Sequence, residues 1–275
     1  MRLTNVIDSE ENKIHRKELT EGPFLDLLKS RCKNSHIIAT KTPFFRHDKG
    51  AELMLITPEA KEERSAFWID SLIKEFSDWK RFPSRARCIK GFTSYSRMHE
   101  ADDVYVIIPF DGTRVGVTPK GSFYKSFTDI ESSLGYDRVD NQMFKDWISA
   151  LIKMLSDLSG EEIKFSLETY SQLKKTLEKI DTFLSGKKEL LKKKLSEAEN
   201  LSLEEAKMMK DLLHRHVNNM FSYLSEKLSP ELNGFSFSRI ESFSKGNGDH
   251  EIWIDSPCLL IKRTKYIELH KQGAF

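Results

Sequence analysis

The chain has few cysteines and lacks the common catalytic signatures. Its three cysteines, Cys32, Cys88 and Cys258, are far apart and form no CxxC pair. This usage fits reduced thiols better than a disulfide framework or a zinc site. P-loop, GxGxxG, HExxH and GxSxG patterns are missing too. Their absence excludes the commonest nucleotide-binding and metal-dependent enzymes.

A strong charge bias and a long apolar run are also lacking. The sequence has 44 Lys and Arg against 42 Asp and Glu, so its net charge of +2 indicates no particular partner. No apolar stretch approaches the ~20 residues needed to span a bilayer. Asp8, Glu10 and Glu11 stand where a signal peptide would need an apolar core. We therefore expect a cytoplasmic protein with no membrane partner.

What is present is a β-rich first half. With 275 residues, the chain can form one large domain or two small ones. Helical spacing predicts helices in 23–32 and 60–79, and the dipeptide Asp111-Gly112 predicts a tight hairpin between two strands. Apolar runs of strand length occur at His36–Thr40, Arg87–Ser94, Val104–Phe110 and Val115–Val117.

A helical segment and a second strand region follow. Helical periodicity dominates from Val139 to about Leu228, and Ser202 to Glu205 have the spacing of a capping box that opens one long helix. The lysine-dense stretch 187–194 is interpreted as a solvated helix face, with a phosphate-binding patch as the alternative. Strands return at 235–243 and in 251–261. Because these last strands are too few to stand alone, we expect them to complete the sheet begun before residue 120.

Three sets of polar residues stand at predicted strand ends: Arg46, then Thr93-Ser94-Tyr95-Ser96, then Glu251. In this order they resemble the ADP-ribosyltransferase superfamily, in particular its Arg, Ser-Thr-Ser, Glu branch. The glutamate strand, followed by a turn at Ser256-Pro257 and an apolar strand, is also similar to that family. The resemblance covers roughly residues 36–120 and 235–265.

The resemblance implies a fold and a domain arrangement. The fold class is α+β: a small split mixed β-sheet of ADP-ribosyltransferase type, with an N-terminal helical region and a large helical insertion. The catalytic core is expected to be discontinuous, comprising 1–138 and 233–275. Residues 139–232 form the insertion, which could dock a macromolecular target, bind an inhibitory partner or pack on the sheet.

The resemblance also implies roles for these residues, with NAD as the substrate and no metal. Arg46 would hold the two phosphates, because a guanidinium can bind them bidentately; a surface arginine paired with an acidic neighbour is the alternative. Thr93, Ser94 and Ser96 would bind the ribose and hold their strand next to the glutamate, or simply cap a strand end. Glu251 would stabilise the oxocarbenium-like sugar formed when the nicotinamide bond breaks.

Aromatic side chains would form a wall beside the nicotinamide. Phe110 is the residue we assign to the cofactor site, and Phe92, Phe123 and Tyr124 are further candidates. Core packing is an alternative role for all four.

The residue two positions before Glu251 bears on the acceptor. Asp249 joins Glu251 as the second catalytic residue, but family members that modify arginine have a longer glutamate there. RNA, DNA or another protein side chain is therefore the expected acceptor. The resemblance to phage effectors and to toxins of toxin-antitoxin or phage-defence systems adds an inhibitory, antitoxin-like protein as an expected partner.

Other interpretations of the same residues remain. The chain could be a non-catalytic interaction protein with a degenerate core and a partner-binding helical module. It could also be a metal-dependent nucleic-acid-processing enzyme, which the sequence supports less because no carboxylate cluster has metal-ligand spacing. His47 could mark the branch of the superfamily that begins with His, although no matching tyrosine is obvious.

Overall fold

A computed structural model describes residues 14–59, 68–98, 103–127, 141–198, 201–214, 219–244 and 248–274. The described residues within 1–62, 80–123 and 234–275 form one compact unit, and those within 63–79 and 124–233 form a second. The strands are β1 Ile14–Glu18, β2 Phe44–His47, β3 Leu53–Pro58, β4 Ile89–Phe92, β5 Val104–Pro109, β6 Arg114–Val117, β7 Ser236–Arg239, β8 Glu251–Ile254 and β9 Cys258–Lys262. The α-helices are α1 Glu21–Arg31, α2 Ser35–Lys41, α3 Trp68–Glu75, α4 Asn141–Ser159, α5 Tyr170–Glu197, α6 Leu203–His214, α7 Met220–Lys227 and α8 Arg263–Lys271.

The first unit is built on a nine-stranded sheet with the order β1-β3-β9-β5-β2-β4-β8-β6-β7. Every pairing among the described strands is antiparallel. The class, mixed α and β, is as expected, but the small mixed sheet was a wrong prediction. The last two strands do complete the sheet begun before residue 120, since β8 lies between β4 and β6, and β9 between β3 and β5.

The two halves of this sheet meet at one narrow junction. Strands β2 and β4 are joined by the single residue pair Phe45 and Phe92. The other neighbouring strands pair over two to five residues. The sheet therefore consists of a five-stranded half, β1-β3-β9-β5-β2, and a four-stranded half, β4-β8-β6-β7.

The turn between β5 and β6 does not close a hairpin, contrary to our expectation. Gly112 has a positive φ of 79°, and the Thr113 N–H donates to the Phe110 carbonyl at 3.2 Å, so the turn itself is tight. Yet β2, β4 and β8 lie between the two strands, a separation of roughly 19 Å across a flat sheet. A four-residue turn brings the Cα atoms of Phe110 and Thr113 within about 7 Å. Pro109 and Arg114 lie only one residue further out on each side, so the sheet must curl between β5 and β6.

The segment expected to be the first strand, His36–Thr40, is helical and forms most of α2. Asp111, in the turn between β5 and β6, stabilises the start of α2. Its carboxylate accepts from the N–H of Ser35 at 2.9 Å and of Asn34 at 3.1 Å. The Ser35 hydroxyl also donates to the Pro109 carbonyl at 2.5 Å. These distant acceptors outweigh the β propensity of the Ile37-Ile38 pair.

Asp111→Ala is expected to lower the free energy of unfolding by about 1 to 2 kcal/mol, because two N–H groups at the start of α2 lose their acceptor. Asp111→Asn keeps an acceptor oxygen and should cost clearly less. Urea denaturation followed by circular dichroism measures both. Equal losses in the two variants would contradict a capping role.

The second unit is helical, as the periodicity predicted. Buried residues of α4 include Phe144, Trp147, Leu151 and Leu155, and Trp147 stacks on Tyr223 of α7 with ring centroids 6.2 Å apart. The capping box at Ser202 is confirmed, since Ser202 and Glu205 exchange side-chain to backbone hydrogen bonds. The single long helix expected there is instead α6 and α7, and α7 has its own cap in Asn219.

Within the described part of the chain, no helix combines the length and apolar character that a membrane crossing requires.

The core of the sheet unit is formed by apolar residues on both faces of the strands. One face carries Phe44, Ile89, Ile107, Ile252, Ile254 and Leu260, and the other carries Leu53, Val106, Ile108, Leu259 and Ile261, packed against α1 and α8 residues.

Candidate functional site

The strands that carry the three predicted sets of polar residues are neighbours. Arg46 lies on β2, Thr93 directly follows β4, and Glu251 begins β8, and these strands are consecutive in the sheet. Phe92 pairs with Phe45 on one side and with Glu251 on the other. The fold therefore brings the ends of β4 and β8 together at one edge of the narrow junction.

Thr93 fastens the end of β4 to the entry of β8. The Thr93 N–H donates to the His250 carbonyl, and the His250 N–H donates to the Thr93 hydroxyl, both at 3.0 Å. Since His250 directly precedes Glu251, this reciprocal pair fixes the backbone that presents the carboxylate. Holding the strand next to the glutamate is one of the roles expected of these hydroxyls.

Ser94, Ser96 and Asp249 form an exposed polar cluster at the same edge. The two serine hydroxyls lie 2.7 Å apart, and the Ser96 hydroxyl donates to Asp249 Oδ2 at 3.1 Å. Arg97 Nε lies 3.8 Å from the same carboxylate oxygen, and about half of its side chain is exposed. The cluster thus offers hydroxyls, a carboxylate and a guanidinium to solvent.

Glu251 itself is buried, with 7% of the residue exposed. Its Oε1 forms an ion pair with Arg85 Nη1 at 2.7 Å, and its Oε2 accepts from the Phe123 N–H at 3.0 Å. The strand end is also held by Thr118, whose hydroxyl accepts from the Glu251 N–H at 3.1 Å. The carboxylate is therefore fixed through both of its oxygens.

Arg85 is a residue that the sequence did not indicate. It is 2% exposed, and its Cζ lies 3.9 Å from the ring centroid of Phe123 and 5.2 Å from that of Trp253. A guanidinium stacks favourably on aromatic faces, and the effect is stronger when water is excluded. The sequence does contain one indication of such a partner. A carboxylate at the start of a buried strand requires a nearby cation.

The charge state of Glu251 follows from these contacts. Burial raises its pKa, but the Arg85 and Lys90 cations and the Phe123 N–H together outweigh burial, so the pKa lies below its ordinary value of 4.5. Glu251 is therefore ionised at neutral pH. A charged carboxylate is the form that can stabilise a developing cation.

Acid should destabilise the protein partly through Glu251. Because its pKa is lower in the folded chain than in the unfolded chain, the unfolded chain binds the proton more tightly as pH falls. Glu251 contributes its full stabilisation above about pH 4.5, and this contribution is lost as the pH falls through the lower pKa that Glu251 has in the folded chain. Urea denaturation at several pH values between about 6 and 3 should show a shallower decline for Glu251→Gln than for the wild type. Parallel declines would contradict this.

Arg46 lies in a different environment from Glu251. Cross-strand partners share a sheet face, so Phe45, Phe92 and Glu251 lie on one face, and Arg46, next to Phe45, lies on the other. It is buried, with Nε 3.0 Å from Asp48 Oδ2 and Nη1 donating to the Lys90 carbonyl at 3.2 Å. Pairing with an acidic neighbour, the alternative expected for Arg46, is thus what the structure shows, although the pair is buried.

The aromatic candidates are dispersed. Phe123 is fully buried and packs against Trp253, with ring centroids 5.8 Å apart. Phe110 packs in the core cluster that contains α1 and α8 residues, with Arg31 Cζ 5.3 Å from its ring centroid. Tyr124 packs on Phe144 of the helical unit, with centroids 6.0 Å apart. Two of the four aromatic candidates therefore lie near Glu251. Phe92 shares its sheet face, and the Phe123 N–H donates to its carboxylate.

A cavity of about 340 Å³ opens beside the entry of β8. Glu251 is not among its lining residues. They are Val117, Thr118, Pro119, Ser236, Phe237, Ser238, Ser242, Phe243, Ser244 and His250. As for metals, the described residues contain no group of three or more His, Cys, Asp or Glu side chains arranged to hold an ion.

Comparison with known proteins identifies no relative: no family model, no curated protein and no solved structure matches this chain.

Proposed function

We propose that the chain is an NAD-dependent ADP-ribosyltransferase that modifies a macromolecule, with Glu251 as the catalytic carboxylate. The observation that carries the proposal is the ionised Glu251 at the head of β8, fastened by Thr93 to the end of β4. The hydroxyls of Ser94, which is half-buried, and of Ser96, which is exposed, lie at the same edge. A fixed anion beside hydroxyl donors is what cleavage of an N-glycosidic bond requires.

The reaction would break the bond between nicotinamide and the ribose C1′ carbon. The bonding electrons leave with nicotinamide, the carboxylate of Glu251 offsets the positive charge on the sugar, and an acceptor nucleophile bonds to C1′ and loses a proton. Asp249, which is half-buried and accepts a hydrogen bond from Ser96, is placed to receive that proton or to orient the acceptor. Its short side chain still favours an acceptor other than arginine, such as a nucleobase.

The phosphate-binding cation is assigned differently from the sequence expectation. Arg46 is on the other sheet face and bound to Asp48, so it does not support the proposal. Arg97 is half-exposed and adjoins Ser96 and Asp249. A methyl group on Gly121 would lie only 2.0 Å from Arg97 Nη2, so the guanidinium rests against the loop that also supplies Phe123. We therefore assign the pyrophosphate to Arg97.

A non-catalytic interaction protein is the second candidate, and the burial of Glu251 favours it. A carboxylate that is 7% exposed and bound to Arg85 could be purely structural. In that case the helical unit would be the functional part, binding a protein partner.

Incubation of the purified protein with NAD labelled in its adenylate half separates the two functions. Protein, RNA and DNA fractions are supplied in separate reactions, and released nicotinamide is quantified by chromatography. An ADP-ribosyltransferase should release nicotinamide and transfer label to one fraction. If no nicotinamide appears in any fraction and calorimetry detects no NAD binding, the interaction protein is the correct interpretation.

A further inference from the structure

We propose that Arg85 is the positioning residue of the site: it fixes the Glu251 carboxylate in one orientation and keeps it charged. The kinetic part of this inference rests on the proposed function. The electrostatic part concerns the ion pair alone and holds for any role of Glu251.

The contact geometry is the first argument. Arg85 Nη1 and Glu251 Oε1 are 2.7 Å apart, which is typical of a charge-assisted hydrogen bond. The Phe123 N–H holds the other oxygen at 3.0 Å. With one donor on each oxygen, rotation of the carboxylate would break at least one of the bonds. Burial makes such a break costly.

Arg85 is itself held in place by the strand that it serves. The Ser84 N–H donates to Asp255 Oδ2 at 2.8 Å, and Trp253 Nε1 donates to the Pro83 carbonyl at 2.9 Å. Trp253 belongs to β8, and Asp255 is the first residue after β8. The segment before β4 is thus fastened to the strand that begins with Glu251.

Stacking fixes the remaining freedom of the guanidinium. Its Cζ lies 3.9 Å from the Phe123 ring centroid, and Phe123 also provides the backbone N–H for Glu251. The ring of one residue therefore orients the cation while its backbone orients the anion. A lysine could supply the charge but not this planar contact.

Among the described residues, Lys90 on the neighbouring β4 is a second cation that acts on Glu251. It lies across from Trp253 in the strand register, whereas Phe92 is the direct neighbour of Glu251. Lys90 is unchanged in every Arg85 variant, so a change in the pKa of Glu251 in such a variant reports on Arg85. A charge-conserving substitution then separates the charge of Arg85 from its contact geometry.

The test compares Arg85→Met, which removes the charge at similar length, with Arg85→Lys, which retains the charge. Carbon-13 NMR of glutamate-labelled protein follows the side-chain carboxyl of Glu251 against pH, and its signal is assigned by its loss in Glu251→Gln. Nicotinamide release gives kcat and KM across the same pH range. Arg239→Met, an exposed arginine on β7, is the control.

In Arg85→Met, the pKa of Glu251 should rise above that of the wild type, and kcat should fall about 100-fold with little change in KM. The acid limb of the pH profile should move to higher pH with it. Arg85→Lys should keep the low pKa and recover part of kcat. Arg239→Met should match the wild type in all three measurements.

Different failures have different meanings. An unchanged Glu251 pKa in Arg85→Met would overturn the inference, as would a kcat equal to or above that of the wild type, which would mean that Arg85 quenches the carboxylate. If the wild type releases no nicotinamide, the proposed function fails, and the NMR titration still decides the electrostatic role. If Arg85→Met does not fold, Arg85→Lys decides, since an undiminished kcat there would overturn the orienting role.

Discussion

Glu251→Gln is expected to slow nicotinamide release by about 10²- to 10³-fold, because the amide has the shape of the carboxylate but no negative charge to offset the sugar cation. KM for NAD should change little, since the lost interaction develops only in the transition state. Glutamine keeps an oxygen that can accept from Arg85 or from the Phe123 N–H. The fold should therefore persist, and near-UV circular dichroism would verify it.

Glu241→Gln is the matched control for this experiment. Glu241 is an exposed carboxylate of the same unit, where it accepts from the Gly112 N–H, and it lies outside the polar cluster of β4 and β8. The control should retain wild-type activity. Full activity in Glu251→Gln would contradict the assignment of the catalytic carboxylate.

Trp253→Ala should produce the largest loss of stability, about 4 kcal/mol in the free energy of unfolding. The indole is fully buried and packs against Phe82, Phe123 and Phe235, with ring centroids 6.2, 5.8 and 6.1 Å away. Its Nε1–H also donates to the Pro83 carbonyl. Urea denaturation measures the loss, and Trp253→Phe should be milder because most of the ring contacts remain.

Gly116 provides a sharper version of the same test. A methyl group on Gly116 would lie 2.2 Å from Trp253 Cε2, so Gly116→Ala alone should cost about 1 to 3 kcal/mol. In the Trp253→Ala background the ring is gone, and the same substitution should cost little. Additive losses in the double variant would show that the two residues do not share this space.

The positions of the strands around Glu251 could be predicted from local sequence. The apolar runs that became β5, β6, β8 and β9, and the turn between the last two, follow from residue type and spacing alone. The segment His36–Thr40 was predicted as a strand and is a helix, because its N-terminal acceptor is Asp111, far along the chain. Local propensity contains no information about such a partner.

Arg85 shows the same limit within the site. It lies in a proline- and serine-containing turn and is separated from Glu251 by 166 positions, so no periodicity or motif connects the two. The sequence instead drew attention to Arg46, whose strand is indeed next to β4. The face on which Arg46 lies depends on the single pair between Phe45 and Phe92, and strand register is not readable from one sequence.

The strand order also has a consequence for biosynthesis. A ribosome that has completed residue 250 has produced seven of the nine described strands. Because β8 and β9 belong inside the sheet, two interior gaps remain. Until these gaps are filled, β3, β4, β5 and β6 expose backbone N–H and C=O groups that can pair with the wrong strand or with another chain. The nascent chain can therefore form these wrong pairings until β8 and β9 have been synthesised. Glu251 is the first residue of β8, one of the two strands that fill these gaps. The proposed activity therefore requires that β8 has been synthesised and has entered the sheet.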